Sequence, residues 1–200
     1  MDFGLTEEQE LLQETLRSFV TGECPVTKLR EVYDSESCYD PVLWEGLMEL
    51  GIGGLLVPEQ YGGVEMEVLD LALVSEVLGE GAVPVPLLGH SMAVAAILHG
   101  GTEEQKQKWL PALASGEILG SIAYAESTDD GEIWEASEAT TSFENGQLRG
   151  TKKFSPHGQF ADLIVVSVSG GGLVVVEPKS SGAKVEPADS LDRSRPIATL

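Results

Sequence analysis

One arrangement of residues in this sequence could perform nucleophilic catalysis. Residues 89–93, Gly-His-Ser-Met-Ala, resemble the Gly-x-Ser-x-Gly turn that presents a hydrolase serine, and Asp129 or Asp130 and then His157 follow in hydrolase order. The fifth position of the turn is alanine, however, and two prolines interrupt the strand that should precede it. The pattern favours Ser91 as a helix N-cap, and a serine hydrolase is kept as an alternative that loss of esterase activity in Ser91→Ala would reveal.

A second candidate is a glycine-rich loop that could hold a phosphate. Residues 51–54, Gly-Ile-Gly-Gly, begin like a dinucleotide-binding turn, but position 56 is leucine and no strand-helix-strand unit surrounds it. The chain also lacks a Gly-Lys-Ser/Thr sequence after a glycine-rich turn. We interpret these glycines as a helix stop and a site of close packing.

Metal and thiol chemistry have little support in the sequence. Cys24 and Cys38 have neither a Cys-x-x-Cys spacing nor paired histidines, so we expect reduced thiols and no zinc site. The acid-rich stretch from Glu126 to Glu138 does not have the spacing of an EF-hand loop. We interpret that stretch as a solvated loop.

The overall charge excludes two classes of partner. The 200 residues include 33 acidic and 12 basic side chains, which gives a net charge of −21. A surface of this sign repels phosphate backbones and anionic lipids, so we expect neither nucleic acid nor a membrane surface as a partner. The chain has no run of about 20 apolar residues and begins with neither a signal nor a transit peptide pattern, which predicts a cytoplasmic protein without membrane insertion.

The first part of the chain has helical periodicity. Capping boxes at Thr6-Glu7-Glu8-Gln9 and Thr102-Glu103-Glu104-Gln105 mark two helix starts. The apolar spacing predicts six helices, which run from Thr6 to about Thr21, over 25–34, from Asp40 to a stop at Gly51, over 67–79, over 91–98, and from Thr102 toward Leu113. The helix over 67–79 is apolar on nearly every side and is expected to be buried. We expect Trp44 and Trp109 in the core, and His90 and His99 at the surface or at helix caps.

Near residue 119 the apolar spacing changes to that of strands. Short strands are predicted at 121–124 and 135–139, and Asn145-Gly146 predicts a hairpin between a strand over 140–143 and one from Gln147. A second hairpin joins 163–168 to 173–176. The predicted fold class is therefore α+β, with an all-α helical bundle over 1–118 followed by an antiparallel β-barrel or sandwich over 119–200 that looks incomplete.

Short segments spread over residues 3–162 share a pattern in their order and spacing. They are Phe3-Gly4-Leu5-Thr6-Glu7-Glu8-Gln9, Leu50-Gly51-Ile52-Gly53-Gly54-Leu55, Val57-Pro58-Glu59-Gln60-Tyr61-Gly62-Gly63, Ser75-Glu76-Val77-Leu78-Gly79, Gly101-Thr102-Glu103-Glu104-Gln105-Lys106, Leu110-Pro111-Ala112-Leu113-Ala114-Ser115-Gly116-Glu117, Ala125-Glu126, Leu148-Arg149-Gly150-Thr151-Lys152-Lys153-Phe154 and Ala161-Asp162. Together they resemble the acyl-CoA dehydrogenase family, flavoproteins with an N-terminal helical domain, a middle β domain and a C-terminal four-helix domain. The change from helices to strands falls where the first of these domain boundaries would lie.

This resemblance implies FAD as the cofactor and an acyl-CoA as the substrate. In the family a carboxylate removes the α proton of the acyl group while the β hydrogen leaves as hydride to the flavin. Hydrogen bonds to the thioester carbonyl increase the acidity of the α carbon. The C-terminal domain supplies the carboxylate in the family, and no acid of this chain can be assigned that role, so we predict no catalytic residue here.

The resemblance also implies which residues contact the flavin, namely Tyr124, Ala125, Phe154, Ser155 and Pro156. Phe154 matches an aromatic residue that packs on the ring. Ala125 and Pro156 replace a threonine and a hydroxyl residue that usually contact the ring, and proline has no N–H or side-chain donor to replace the bond. Losing two neutral hydrogen bonds costs about 1–3 kcal/mol, which corresponds to flavin binding weaker by about 5- to 150-fold.

Two hypotheses about the whole chain follow. The altered flavin contacts and the missing third domain indicate a fragment, or a non-catalytic subunit that forms a homo- or hetero-oligomer with a related acyl-CoA dehydrogenase subunit. The alternative is a non-redox module that binds CoA or an acyl group. The visible absorbance of a bound flavin distinguishes the two.

Overall fold

The computed structural model describes residues 4–128, 131–133 and 138–200. In this part of the chain the six predicted helices are present, and a short seventh lies among the strands. Their bounds are α1 Glu7–Glu23, α2 Val26–Asp34, α3 Pro41–Glu49, α4 Val68–Glu80, α5 Leu87–Gly100, α6 Glu103–Ser115 and α7 Pro178–Ser181. Short 3-10 helices cover Glu59–Tyr61 and Gly158–Phe160.

Both predicted capping boxes are confirmed. At the start of α1 the Gln9 N–H donates to the Thr6 hydroxyl at 3.2 Å, and the Thr6 N–H donates to the Gln9 side chain at 3.1 Å. The same reciprocal pair joins Thr102 and Gln105 at the start of α6, at 3.3 and 2.8 Å. Each box satisfies N–H groups that would otherwise lack a partner at a helix start, which explains where these helices begin.

The start of α5 differs from the prediction. The helix begins at Leu87 with Pro86 as its N-cap, so Ser91 lies inside the helix and is not its cap. A proline at a helix start leaves no additional N–H unpaired, which is why the helix can begin there. His90, predicted at the surface or at a cap, is fully buried instead.

Helix α4 is less buried than its composition predicts. Val68 and Leu69 are 70% and 55% exposed, whereas Val74 and Val77 are buried. The helix packs against α1 on one side, and at its start Val68 and Leu69 stay exposed while Asp70 is buried. The apolar sequence alone could not distinguish a helix covered on all sides from one covered on one.

Two groups of buried side chains hold the helices together. The first joins α1, α3 and α4 through Leu16, Trp44, Leu47, Val74 and Val77. The second packs α5 and α6 against a strand through Val94, Ile97, Leu110, Leu113 and Leu163. Trp44 is buried, as predicted, and Trp109 is half-buried at the edge of the second group.

The strands of the described residues are short. They are β1 Gly120–Ala123, β2 Glu126–Thr128, β3 Gly131–Ile133, β4 Ser142–Glu144, β5 Gln147–Arg149, β6 Ser155–Pro156, β7 Leu163–Val168, β8 Gly172–Val176, β9 Glu186–Ala188 and β10 Ile197–Thr199. They pair as β1-β7-β8, β6-β10-β9, β2-β3 and β4-β5. The α+β class is confirmed, while closure of these strands into a barrel stays a prediction.

Both predicted hairpins are confirmed, since β4 pairs with β5 and β7 with β8, each antiparallel. Asn145 and Gly146 connect β4 to β5 with positive φ values of 50° and 76°, as a tight hairpin turn requires. Thr140 and Thr141 precede β4 because their N–H groups donate to Glu126 instead of to a strand. The pairing of β1 with β7 is parallel, which the long connection between these strands permits. The strand predicted at 135–139 falls largely outside the described residues.

The glycines of residues 51–54 have the structural roles that we predicted, and Gly63 is also closely packed. Gly51 follows α3 with a φ of +78°, and a Cβ on Gly54 would lie 3.1 Å from the Ala114 Cβ. A Cβ on Gly63 would lie 2.0 Å from the Val57 carbonyl oxygen, which is backbone and cannot move aside cheaply. This segment is therefore a helix stop followed by close backbone packing.

Replacing Gly63 by alanine should destabilise the chain by about 1–3 kcal/mol, because the added methyl group overlaps backbone. The matched control is Gly79→Ala in α4, where nothing lies within 4 Å of the added Cβ. That variant should gain about 0.5–1 kcal/mol, because alanine loses less conformational entropy in a helix than glycine. Urea denaturation of both variants measures the difference, and equal stabilities would contradict the packing argument.

Candidate functional site

The structure places the predicted flavin contacts in two neighbouring segments. Tyr124–Ala125 connects β1 to β2, and Phe154–Pro156 leads into and forms β6; we call these two ranges the site segments. Ala125 pairs with Lys153 in an antiparallel bridge, in which the Lys153 N–H donates to the Ala125 carbonyl at 2.8 Å. The fold thus brings together residues that are about thirty positions apart in the sequence.

The five predicted residues differ in how far they can contact a ligand. The side chains of Ala125 and Ser155 are each only 1% exposed. The Ser155 hydroxyl donates to the Ile122 carbonyl at 2.9 Å, so it is already engaged in the protein. Tyr124 is 36% exposed, and Phe154 and Pro156 are half-buried. The accessible part of the site is therefore aromatic and apolar.

Phe154 has an unusual backbone conformation. Its φ is +58°, in the left-handed region that an aromatic residue seldom adopts. Such a conformation costs on the order of 1 kcal/mol and persists where neighbouring contacts fix it. In a strand-rich region this turn gives the Phe154 side chain a direction that regular strand geometry would not.

Pro156 is held between α5 and β1. A Cβ on Gly89 would lie 3.0 Å from the Pro156 Cγ and 3.1 Å from its carbonyl oxygen. The Ser121 hydroxyl donates to that carbonyl at 2.6 Å. Gly89, considered above as the first glycine of a hydrolase turn, therefore allows β6 to approach the helix.

The structure does not support the hydrolase alternative. Ser91 is inside α5 and 7% exposed, and the His157 Nε2 has no hydrogen-bond partner among the described residues. The His157 ring lies instead edge-on to Tyr39, with ring centroids 6.2 Å apart. Asp129 and Asp130 lie outside the described residues. The base and the nucleophile that the hydrolase reaction requires are thus not joined by a hydrogen bond.

A buried ion pair beside the site was missed by the sequence analysis. Lys152 and Glu126 are each 2% exposed, and the Lys152 Nζ lies 2.7 Å from Glu126 Oε1. The ammonium also donates to the Ser167 hydroxyl at 2.9 Å and to the Tyr124 carbonyl at 3.1 Å. The prediction that the stretch from Glu126 is solvated is wrong for Glu126. No local sequence pattern could reveal these contacts, because Glu126 and Ser167 lie 26 and 15 residues from Lys152 along the chain.

Glu126 is held as a carboxylate by several donors. The N–H group of Thr140 donates to Glu126 Oε2 at 2.8 Å, and the Thr140 hydroxyl donates to the same oxygen. The Thr141 N–H donates to Glu126 Oε1 at 3.0 Å. Burial by itself would raise the pKa of Glu126, but the hydrogen bonds from Lys152, Thr140 and Thr141 outweigh burial and hold its pKa well below the usual range. The side chain is therefore ionised at neutral pH. We call Lys152, Glu126, Ser167 and the Tyr124 carbonyl the Lys152 network.

A groove lies elsewhere on the strands. It has a volume of about 730 Å³ and lies between the β4–β5 hairpin, β8 and α7, with Leu148, Val174 and Leu200 among its lining residues. None of the five predicted flavin contacts lines it. The site segments are thus not part of its lining, although Lys152, two residues before Phe154, is.

Three further observations concern the chain as a whole. Cys24 and Cys38 are both buried and neither is in a disulfide, which agrees with the predicted free thiols. The Gly120 N–H donates to His90 Nδ1 at 3.2 Å, so this buried imidazole connects α5 to β1.

Among the helices of the described ranges, none combines the length and apolar character needed to cross a bilayer.

The comparisons with known proteins agree with this architecture. Residues 6–117 match the family model described as acyl-CoA dehydrogenase, N-terminal domain. The chain therefore belongs to the acyl-CoA dehydrogenase family, which confirms the resemblance. Among solved structures, the Tcur3481-Tcur3483 steroid ACAD superimposes with a TM-score of 0.86 at 29% identity, over 96% of this chain and 54% of that chain.

Curated relatives belong to the same family and are longer than this chain. Acyl-CoA dehydrogenase IpdE2 of Mycolicibacterium smegmatis is 39% identical over 121 residues, which is 60% of this chain and 38% of the relative. Mitochondrial isovaleryl-CoA dehydrogenase of Bos taurus is 32% identical over 168 residues, or 82% of this chain and 39% of the relative. The chain thus spans well under half the length of these two relatives.

Proposed function

We propose that this chain provides the flavin-holding part of an acyl-CoA dehydrogenase, with FAD as cofactor and an acyl-CoA as substrate. The observation that supports the proposal is the antiparallel bridge between Ala125 and Lys153, because Lys153 directly precedes Phe154 and the bridge therefore sets the two site segments side by side. Relatives support the substrate class, since they include an isovaleryl-CoA dehydrogenase and a (2S)-methylsuccinyl-CoA dehydrogenase. A similar structure from Bacillus anthracis, with a TM-score of 0.78 at 25% identity, is complexed with FAD.

The residues present fit a flavin ring through its faces more than through its edges. Phe154 and Tyr124 offer aromatic surface to a planar ring. Ala125 and Pro156 supply no side-chain donor, and the Ser155 hydroxyl already donates within the protein. When bound, FAD supplies the hydride-accepting ring, and the side chains of this site orient it and shield it from water. The chain should therefore hold the cofactor more weakly than a relative with both hydroxyl contacts.

The proton-accepting carboxylate of the reaction must come from outside this site. Glu126 is the acid nearest to the site segments in sequence, but its oxygens accept hydrogen bonds from Lys152, Thr140 and Thr141. A buried carboxylate with a strongly lowered pKa is a weak base and has no free lone pair directed to a substrate. We propose that a further domain or a related partner subunit supplies the base, and that the chain acts in a homo- or hetero-oligomer.

Calorimetric titration of the chain with FAD tests this function. We expect saturable binding of about one FAD per chain, and binding weaker by about tenfold or more in Phe154→Ala, because an aromatic contact and apolar burial are lost. Phe143→Ala is the matched control, since Phe143 is 48% exposed in β4 and lies outside the site segments. Absence of FAD binding, or equal losses in both variants, would contradict the proposal, and binding of CoA without FAD would favour the non-redox alternative.

Restoring a hydroxyl at position 156 should strengthen flavin binding. One neutral hydrogen bond contributes about 0.5–1.5 kcal/mol, so Pro156→Thr should bind FAD about 2- to 12-fold more tightly. Pro187→Thr is the control for the backbone effect of losing a proline, because Pro187 is an exposed residue of β9. The same titration measures both variants. Unchanged or weaker binding in Pro156→Thr would mean that the residue does not face the ring.

Two further proposals concern the organisation and location of the chain. We propose that the boundary between the helical and the β domain lies at residues 118 and 119, which the end of α6 at Ser115 and the start of β1 at Gly120 support. We also propose that the protein acts in the cytoplasm. Free buried thiols, as at Cys24 and Cys38, are typical of a reducing compartment.

A further inference from the structure

We infer that Lys152 is a positioning residue for the flavin site, and that it acts by fixing the two site segments relative to each other. The inference rests on the proposed function, because it concerns how the same site is held. Lys152 itself is 2% exposed, so its ammonium acts within the protein and not on a ligand.

All three protons of the Lys152 ammonium are used inside the protein. They are donated to Glu126 Oε1 at 2.7 Å, the Ser167 hydroxyl at 2.9 Å and the Tyr124 carbonyl at 3.1 Å. A lysine ammonium has three donors and no acceptor, so its orientation is fully determined by these partners. The Tyr124 carbonyl also accepts from the Ser167 hydroxyl at 3.3 Å. Two donors therefore fix the peptide group that joins Tyr124 to Ala125.

The main chain on either side of Lys152 fixes the other site segment. Lys152 exchanges two backbone hydrogen bonds with Leu200, at 3.0 and 2.9 Å, and the next residue, Lys153, bonds to the Ala125 carbonyl. Phe154 follows at once with its left-handed φ of +58°. A strained residue keeps its conformation only when contacts on both sides require it. Lys152 and Lys153 provide those contacts before Phe154, and Ser121, bonded to the Pro156 carbonyl, provides them after it.

The charge of the pair points to this role over a role in stability alone. A buried ion pair recovers little of its desolvation cost, and apolar residues of similar volume are often as stable. An apolar residue at position 152 could fill the space, but it has no donor for the Tyr124 carbonyl or for the Ser167 hydroxyl. What the lysine adds is a fixed direction for the Tyr124–Ala125 peptide.

Ser167→Ala tests the inference with less disruption than removing either charge. It takes away one partner of Lys152 and one donor to the Tyr124 carbonyl, and leaves the ion pair in place. Ser91→Ala is the matched control, because Ser91 is also a buried serine but lies in α5. Ser167→Thr restores the hydroxyl. Each variant of the full chain is measured by calorimetric titration with FAD and by amide hydrogen exchange without FAD, with thermal unfolding recorded alongside.

The positioning role predicts FAD binding weaker by about fivefold or more in Ser167→Ala, with faster exchange confined to both site segments, and recovery in Ser167→Thr. Ser91→Ala should change FAD binding less than about twofold, because Ser91 makes no contact with the Lys152 network. If the wild-type chain binds FAD and Ser167→Ala binds it equally well with unchanged exchange, the inference is wrong and the proposed function stands. If the wild-type chain binds no FAD, the proposed function itself fails.

Discussion

Lowering the pH from 7 to 5 is expected to destabilise the chain by about 4 kcal/mol through two buried histidines. Burial lowers the pKa of His90 to about 4. Burial, together with the nearby Arg195, lowers the pKa of His157 to about 4 as well. In the unfolded chain a histidine titrates near pH 6.5, so below that pH the unfolded state takes up protons that the folded state excludes.

The sign and the pH window follow from these values. Above pH 6.5 both states are neutral and the full contribution to stability is present, and it is lost as the pH falls from about 6.5 toward 4. Each histidine contributes about 1.4 kcal/mol per pH unit in that window, or about 2 kcal/mol by pH 5. The lowered pKa of Glu126 also makes the chain less stable as the pH falls. This loss begins only where carboxyl groups of the unfolded chain become protonated, so it contributes little above pH 5.

Urea denaturation at pH 7, 6 and 5 measures this dependence. The variants His90→Gln and His157→Gln should each remove about half of the slope. His99 is exposed in the last turn of α5, so His99→Gln is the matched control for the substitution itself. A stability that does not change between pH 7 and pH 5 would show that these imidazoles are accessible to water.

Breaking the Lys152–Glu126 pair should cost about 3–5 kcal/mol, because the remaining partner stays buried with an uncompensated charge. Lys152→Met leaves the Glu126 carboxylate, and Glu126→Gln leaves the Lys152 ammonium, each 2% exposed in the intact chain. The double variant should lose clearly less than the sum of the two single losses. Urea denaturation of the three variants at pH 7 gives this coupling free energy.

An exposed pair provides the matched control for that experiment. Arg17 and Glu80 lie 3.2 Å apart on α1 and α4, with side chains 48% and 57% exposed. Glu80→Gln should cost at most about 1 kcal/mol, since water screens both charges. If Glu126→Gln were as mild as Glu80→Gln, the pair would be hydrated in solution and the Lys152 network could not fix the site segments.

The sequence predicts the helical part well because its signals are local. The capping boxes at Thr6 and Thr102 and the positive φ at Gly51 follow from residues within one helical turn. The predicted start of α5 at residue 91 is wrong by four residues, since the helix begins at Leu87. Ser91 resembles an N-cap in the sequence, and only tertiary packing shows that it lies inside the helix. The burial of His90 depends on Trp44 and Gly120, which are distant in the sequence.

The site was less accessible to prediction because its contacts join distant strands. The family resemblance indicated Phe154 and Ala125, but neither spacing nor composition indicated that Ala125 pairs with Lys153. Glu126 appears in a run of acids, and a single sequence cannot separate one buried acid from its solvated neighbours. The parallel pairing of β1 with β7 was missed for the same reason, since both strands also fit an antiparallel arrangement.

A crystal structure of the chain with FAD would locate the flavin directly. We expect density for the flavin ring against Phe154, with Tyr124 beside it and no side-chain hydrogen bond from position 125 or 156. A ring bound in the groove between the β4–β5 hairpin and α7, or FAD absent at saturating concentration, would show that the site segments do not hold the flavin.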